Sequence, residues 1–205
     1  FEYRGLRYFA HRGLHRYQAE HWSLEDWQRE IDWMVKRRLN YFMLRIGIDD
    51  LYQRAFPDVV SYPNATERLP EATAEGYDDR TLFWSLEYRG ILRQKLLAYA
   101  FDRDLIHSED CGTMTHWYSR TPIEYLEKKQ PRLLAQASSG YSEQSGLCWD
   151  PRVKENLDNY FRLTETYVEQ YGRPELFHTT GLAERLIFDD RKQNMNMKLL
   201  TYRRI

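Results

Sequence analysis

The stretch Ser23-Leu24-Glu25-Asp26-Trp27-Gln28-Arg29-Glu30-Ile31-Asp32-Trp33-Met34-Val35-Lys36-Arg37-Arg38-Leu39-Asn40-Tyr41-Phe42-Met43-Leu44 holds one helix and one strand in sequence. Ser23 with Asp26 three residues on forms a variant of the capping box, so a helix begins there. Trp27, Ile31, Met34 and Val35 recur at helical spacing and predict one apolar face. Asn40 breaks that pattern, and Tyr41-Phe42-Met43-Leu44 follows as a strand ending near Gly47.

The same alternation extends in both directions. Upstream, residues 6–14 contain the apolar run Tyr8-Phe9-Ala10 and end in polar His11-Arg12-Gly13, which suits a buried strand running into a loop. Downstream, residues 57–80 carry Pro57, Pro63, Pro70 and Gly76 among polar residues and read as a long loop. A helix over about 85–101 should turn Ile91, Leu92, Leu96 and Ala100 inward, and Leu105-Ile106-His107-Ser108 is the third strand. Thr121 is expected to cap another helix, with Pro122 at its first position and Glu124 closing the box. Asp150-Pro151 opens the next helix, whose face is Val153, Leu157, Phe161 and Val168, and Gly172 stops it. Leu176-Phe177-His178-Thr179 is the fourth strand, and Asp190 caps a last helix with Met195, Leu199 and Leu200 inward.

Strand and helix alternate four times, which predicts an α/β chain with a parallel sheet and helices outside. The expected architecture is a (β/α)8 TIM-type barrel to which residues 1–205 contribute roughly the first four β/α units as a partial catalytic domain. Half a barrel would leave strand edges open. The expectation is therefore a fragment, or a barrel completed by missing sequence or a second chain, in keeping with a first residue that is Phe1 and not Met. A small doubly wound α/β domain is the competing architecture, and it should carry a Gly-rich phosphate loop that this sequence lacks.

Composition narrows the function classes. The 205 residues carry 30 Lys and Arg against 31 Asp and Glu, so no basic field favours nucleic acid as a partner. No apolar run approaches the ~18 residues of a membrane span. Two cysteines, Cys111 and Cys148, read as free thiols before they read as a disulfide framework. Asn64-Ala65-Thr66 fits the N-glycosylation pattern, which matters only on a eukaryotic secretory route. Aromatics make 15% of the chain, with 16 Tyr, 6 Trp and 9 Phe. Flat rings with polar edges suit sugar faces, although a large aromatic core is the plainer reading.

In a barrel of this type the active site lies at the C-terminal ends of the strands. That rule selects His11 to Gly13 with His15, Arg45 to Asp50, Glu109 to His116, and His178 to Arg185. Glycoside hydrolysis needs two carboxyl groups flanking the scissile bond, and Glu184 stands just past the fourth strand. The plainer role for Glu184 is a surface carboxylate pairing with Arg185 or capping a helix. His11, His15 and His21 span a strand end and a loop, so nothing makes them converge as zinc ligands, and neither metal nor cofactor is expected. His107 and Glu109 alternate along a strand and would share a face, which is more often a hydrogen-bonding pair than a site.

Trp27-Gln28-Arg29-Glu30-Ile31-Asp32-Trp33-Met34 resembles the W-E-R-E-I-D-W-M segment of the α-N-acetylglucosaminidase family of glycoside hydrolases. The resemblance runs back through Arg7-Tyr8-Phe9 and forward through Leu39-Asn40 to Gly47 and Tyr52-Gln53-Arg54. It resumes weakly over 85–105 and at Gln170-Tyr171-Gly172. Thr180-Gly181-Leu182-Ala183-Glu184-Arg185 stands where the family reads D-T-F-N-E-M, so the resemblance implies Glu184 as general acid/base. It also implies a carbohydrate substrate, a nucleophile on a later strand, and a secreted, periplasmic or lysosomal-type location.

The chain departs from the family at positions that contact the sugar. Ala183 replaces the Asn before the catalytic Glu, His11 replaces the Asn ending strand one, and Arg45-Ile46-Gly47-Ile48-Asp49 replaces W-S-G-Q-E. These exchanges imply either a different sugar, such as an acidic one paired by Arg45, or lost activity. The expected function is hydrolysis of a terminal N-acetylhexosaminide or acidic sugar, with Glu184 as catalytic residue. His11, His15, Arg45, Asp49, Glu109 and His116 are the expected substrate contacts. The first alternative is a non-catalytic carbohydrate-binding relative. The second rests on Ala10-His11-Arg12-Gly13, which resembles the H-R-G start of glycerophosphodiester phosphodiesterases, where a histidine acts beside a divalent cation.

Overall fold

The structure is a computed structural model, and it describes residues 2–8, 22–44, 50–62, 85–109, 122–133, 149–172, 175–177 and 190–202. The chain divides into two compact units. Unit 1 comprises residues 1–50, 62–110 and 168–178, and unit 2 comprises 51–61, 111–167 and 179–205.

Unit 1 is built on four parallel strands: β1 (Gly5–Tyr8), β2 (Tyr41–Leu44), β3 (Ile106–Glu109) and β4 (Leu176–Phe177). They lie in the order β1-β2-β3-β4, the order in which they occur in the chain. In register, Gly5 faces Tyr41 and Tyr8 faces Leu44, Tyr41 faces Ile106, and Glu109 faces Phe177. At Gly5 the strands approach so closely that an added Cβ would collide with the Tyr41 carbonyl and ring. Asn40 fixes the entry to β2, since its side chain accepts from the Arg4 amide at 2.8 Å and donates to the Glu2 carbonyl at 2.8 Å.

This sheet corrects the expected barrel. Among the described residues β1 and β4 each pair with one neighbour, so the sheet is open and four strands wide, where barrel closure takes eight. Alternating strands and helices satisfy an open parallel sheet as well as a closed one, so the alternation carried no information about closure. Nor does the strand order reverse, as a doubly wound sheet requires.

Helix α1 (Leu24–Lys36) starts as its sequence dictates. The Ser23 hydroxyl accepts from the Asp26 amide at 3.3 Å, and the Asp26 carboxylate accepts from the Ser23 amide at 3.0 Å. Trp27, Ile31 and Met34 are fully buried, each worth roughly 2 kcal/mol of transfer free energy. Val35, expected on the same face, is exposed. The Trp27 ring meets Phe42 of β2 edge-on at 6.4 Å. Helix α3 (Leu86–Phe101) packs on α1 and β3, burying Leu92, Leu96 and Ala100, while Ile91 stays exposed. Asp32 of α1 ties the two helices together, accepting from Arg103 Nε at 2.6 Å and from the Tyr99 hydroxyl at 3.1 Å. The Arg103 guanidinium holds the Asp32 carboxyl below its usual range.

Unit 2 has an aromatic core. Tyr52 belongs to a short helix, α2 (Leu51–Ala55), and Phe56 and Val60 follow in a turn. Tyr125 comes from α4 (Ile123–Lys129), and Leu163 from α5 (Lys154–Tyr171), a helix that contributes residues to both units. Trp149 forms an antiparallel bridge with Leu133. The Tyr125 and Trp149 rings stack at 5.0 Å with planes 5° apart, and Tyr52 meets both edge-on. Burial pushes the Tyr125 phenol well above its ordinary value. Part of the expected 57–80 loop therefore folds into this core, with Val60 buried, and residues 63–80 lie outside the described residues.

Several helix starts differ from the sequence expectation. Pro122 occupies the cap of α4 with no side-chain bond, and Glu124 accepts instead from the Ser61 amide at 3.3 Å and hydroxyl at 3.1 Å. Helix α5 begins at Lys154, not at Pro151. Asp150 is buried in the turn before it, bound by Arg152 Nε at 2.8 Å and Nη2 at 2.7 Å, with Arg132 Nε at 3.4 Å. These guanidinium groups, Arg152 first, hold the Asp150 carboxyl below its ordinary value. The buried face of α5 includes Leu157, Tyr160, Leu163 and Tyr167, so Phe161 and Val168 sit to one side of it, half-buried. Gly172 ends α5 at φ +84°, a conformation glycine adopts at no steric cost. The Asp190 carboxylate accepts from the Lys192 amide at 2.8 Å at the start of α6 (Arg191–Tyr202). Met195, Leu199 and Leu200, expected inward, are exposed.

Candidate functional site

Because the four strands are parallel and in register, their last residues lie along one edge: Tyr8, Leu44, Glu109 and Phe177. Open parallel sheets bind ligands beyond this edge where the strand order reverses; here the order does not reverse, and the edge is where the chain leaves the strands. The residues that follow each strand in sequence are the ones with chemistry to offer. Arg45 comes directly after Leu44, and Glu109 is itself the last residue of β3. His11 and His15 follow β1, Asp49 follows β2, His116 follows β3, and Glu184 follows β4.

Glu109 is thus placed at the carboxyl edge, opposite Phe177 of β4. His11, His15, Arg45, Asp49, His116 and Glu184 lie outside the described residues, as do Cys111, Cys148 and Asn64. His107 lies two residues before that edge on the same strand. It shares its rung with Phe42, whose ring packs on Trp27, and its amide donates to Glu175 Oε2 at 2.6 Å. His107 therefore belongs to the face that α1 covers. Among the described residues no group of three metal-ligating side chains converges, and no helix is long and apolar enough to cross a membrane.

One buried polar cluster in unit 1 gathers around Asp50, the last residue of the selected segment Arg45 to Asp50, with partners that the sequence did not indicate. Asp50 is fully buried, and its two carboxylate oxygens accept from the Tyr171 hydroxyl at 2.7 Å and the Tyr62 hydroxyl at 2.9 Å. Arg93, also fully buried, stands with its guanidinium 5.2 Å from the centre of the Tyr171 ring. Gln94 donates to the Gln170 carbonyl at 3.0 Å beside it. A carboxylate taken out of water needs such donors. The two tyrosines are 12 and 121 residues from Asp50 in sequence, so no local pattern announces the cluster.

Of the expected site residues, Glu109 is the one that the described sheet places at the carboxyl edge. Carboxyl groups move protons, and guanidinium groups pair with carboxylates or hydroxyls in two-point fashion. No protein-family model, curated protein or solved structure matches the chain.

Proposed function

We propose that this protein is a glycoside hydrolase acting on a terminal sugar, an N-acetylhexosaminide or an acidic sugar, with Glu184 as general acid/base. The observation that carries the reading is the common carboxyl edge of β1 to β4, where Glu109 ends β3; in sequence, Arg45 follows β2 and Glu184 follows β4. The likeness of Trp27–Met34 to the corresponding helix of the α-N-acetylglucosaminidases supports it. The structure gives that segment a scaffold role, with Trp27, Ile31 and Met34 buried.

In this mechanism Glu184 protonates the leaving oxygen, and Arg45 and His11 orient the sugar. The test is hydrolysis of aryl N-acetylglucosaminides and aryl uronides by the protein and by Glu184→Gln. Loss of general acid catalysis lowers kcat by about 10²–10⁴, most for poor leaving groups. Equal turnover in both proteins would remove Glu184 from the mechanism.

The exchanges at Ala183, His11 and Arg45 favour a second reading, a carbohydrate-binding protein without catalysis. Saturable sugar binding with no turnover of any glycoside would establish that reading in place of the first.

A further inference from the structure

Helices α1, α3 and α5 each bury an apolar face, and α6 (Arg191–Tyr202) does not follow them. Its Met195, Leu199 and Leu200 are exposed, Met195 to 56%. Exposed apolar side chains gathered on one helix mark an interaction surface, as singly scattered ones do not. The charge of this stretch is equally one-sided. Residues 191–205 include Arg191, Lys192, Lys198, Arg203 and Arg204 and no acidic residue. The whole chain has 30 basic against 31 acidic residues, so the chain before α6 carries an acidic excess. Asp190 caps α6, and the first two helical residues are the cations Arg191 and Lys192. Cations in the first turn oppose the helix dipole, so they stand there at a cost to the helix itself.

The shape of the face selects what covers it. Leu199 and Leu200 are neighbours in sequence and leave the helix about 100° apart. With Met195 one turn before Leu199, the apolar surface is broad, whereas a protein groove takes a narrow ridge at i, i+4 and i+7. A second copy docked symmetrically would set one basic helix on another, and like charges repel. A nucleic-acid backbone would answer the cations and leave the leucines in water. A flat anionic lipid surface answers both, taking the apolar side chains below its headgroups and the cations among them.

We propose that α6 docks on a membrane surface rich in anionic lipids. With 12 residues it lies on the bilayer and does not cross it. Docking asks nothing of the sugar chemistry, so it stands or falls separately from the role of Glu184.

The test uses the whole protein with vesicles of phosphatidylcholine alone and of phosphatidylcholine with phosphatidylglycerol. Cosedimentation is measured at about 0.1 M salt and at about 1 M, where charges are screened within a few ångströms. The expected result is binding to the anionic vesicles at low salt, lost at high salt and absent without phosphatidylglycerol. Leu199→Gln, or Arg191→Gln with Lys192→Gln, is expected to weaken that binding by about tenfold. Two controls match them in kind: Phe101→Gln, an exposed apolar residue of α3, and Arg29→Gln, an exposed cation of α1. Both should leave binding unchanged. Amide exchange over 191–202 should slow on the anionic vesicles, more than in any other helix. No binding to anionic vesicles, equal losses in the controls, or binding without protection of 191–202 overturns the proposal. So does a dimer in sedimentation that Leu199→Gln abolishes while vesicles are not bound, which would make the face a contact between copies. Equal binding to a DNA duplex, indifferent to Leu199→Gln, overturns it too, because charge alone would then account for the helix.

Discussion

Unit 1 buries Trp27, Ile31, Met34, Leu92, Leu96 and Ala100 from two long helices laid beside a sheet, whereas unit 2 buries Tyr52, Phe56, Tyr125 and Trp149 from short pieces of chain. The first core is a set of stripes, and each stripe can be read along one helix. The second is a set of rings that meet only after the chain has turned, and each piece is too short to show a period. Helix α2 has 5 residues and α4 has 7, under two turns each. Their polar tips also differ. Unit 1 gives its Asp32, Tyr99 and Arg103 to a half-exposed network between helices, while unit 2 buries the Tyr125 phenol and the Trp149 indole in the core itself.

This contrast is broken most directly by Trp149→Ala. Removing a fully buried indole stacked on Tyr125 should cost about 4 kcal/mol. Near-ultraviolet circular dichroism should lose the signal of the stacked rings, and hydrogen exchange should accelerate through residues 122–133 and 154–163. If β1 to β3 keep their protection, the cores are separate. If protection collapses everywhere, the two units unfold as one.

Asp150→Asn should cost about 2 kcal/mol at neutral pH by weakening charge-assisted bonds to Arg152 and Arg132. The direction with pH follows from the lowered carboxyl. The unfolded carboxyl, near 3.8, takes up its proton first as pH falls, so the stabilisation is fully present above that value. It is lost as pH drops through the lower value of the folded state. Urea midpoints of the parent and Asp150→Asn should therefore differ most near pH 7 and converge in acid. A constant difference from pH 7 down to pH 3 would mean the charge on Asp150 is not what stabilises the turn.

The smallest effect belongs to the most legible feature. Ser23→Ala should cost about 1 kcal/mol, the worth of a good helix cap, and should leave the ring signals of unit 2 untouched. A thermal midpoint lowered by a few degrees with unchanged near-ultraviolet dichroism would fit.

The helix over 24–36 and the strand over 41–44 were legible because capping and periodicity are local and both are present there. Val35 and Ile91 were misread as inward because the apolar stripe was drawn one position too wide. On α6 the periodicity of Met195, Leu199 and Leu200 exists, but all three are exposed, since a pattern states what can be buried and not what is. Closure of the sheet was beyond the sequence altogether, for alternation is silent about whether a sheet's two edges meet. Of the site expected after the strands, Glu109 is placed at the end of β3, while Arg45 and Glu184 lie outside the described residues. Asp50 fell within the segment selected after β2, but its bonds to Tyr62 and Tyr171 were not legible because those partners come from segments remote in sequence.

The order β1-β2-β3-β4 has a consequence for how the chain is made. Each strand is added to an edge that its predecessor has already left open, and none has to be wedged between two that are paired. A nascent chain can join β1 to β2 once residues through Leu44 have left the ribosome, and then extend the sheet outward as β3 and β4 emerge. Assembly can thus keep pace with synthesis, and the edge awaiting its next strand is exposed only for the time it takes to translate the segment in between.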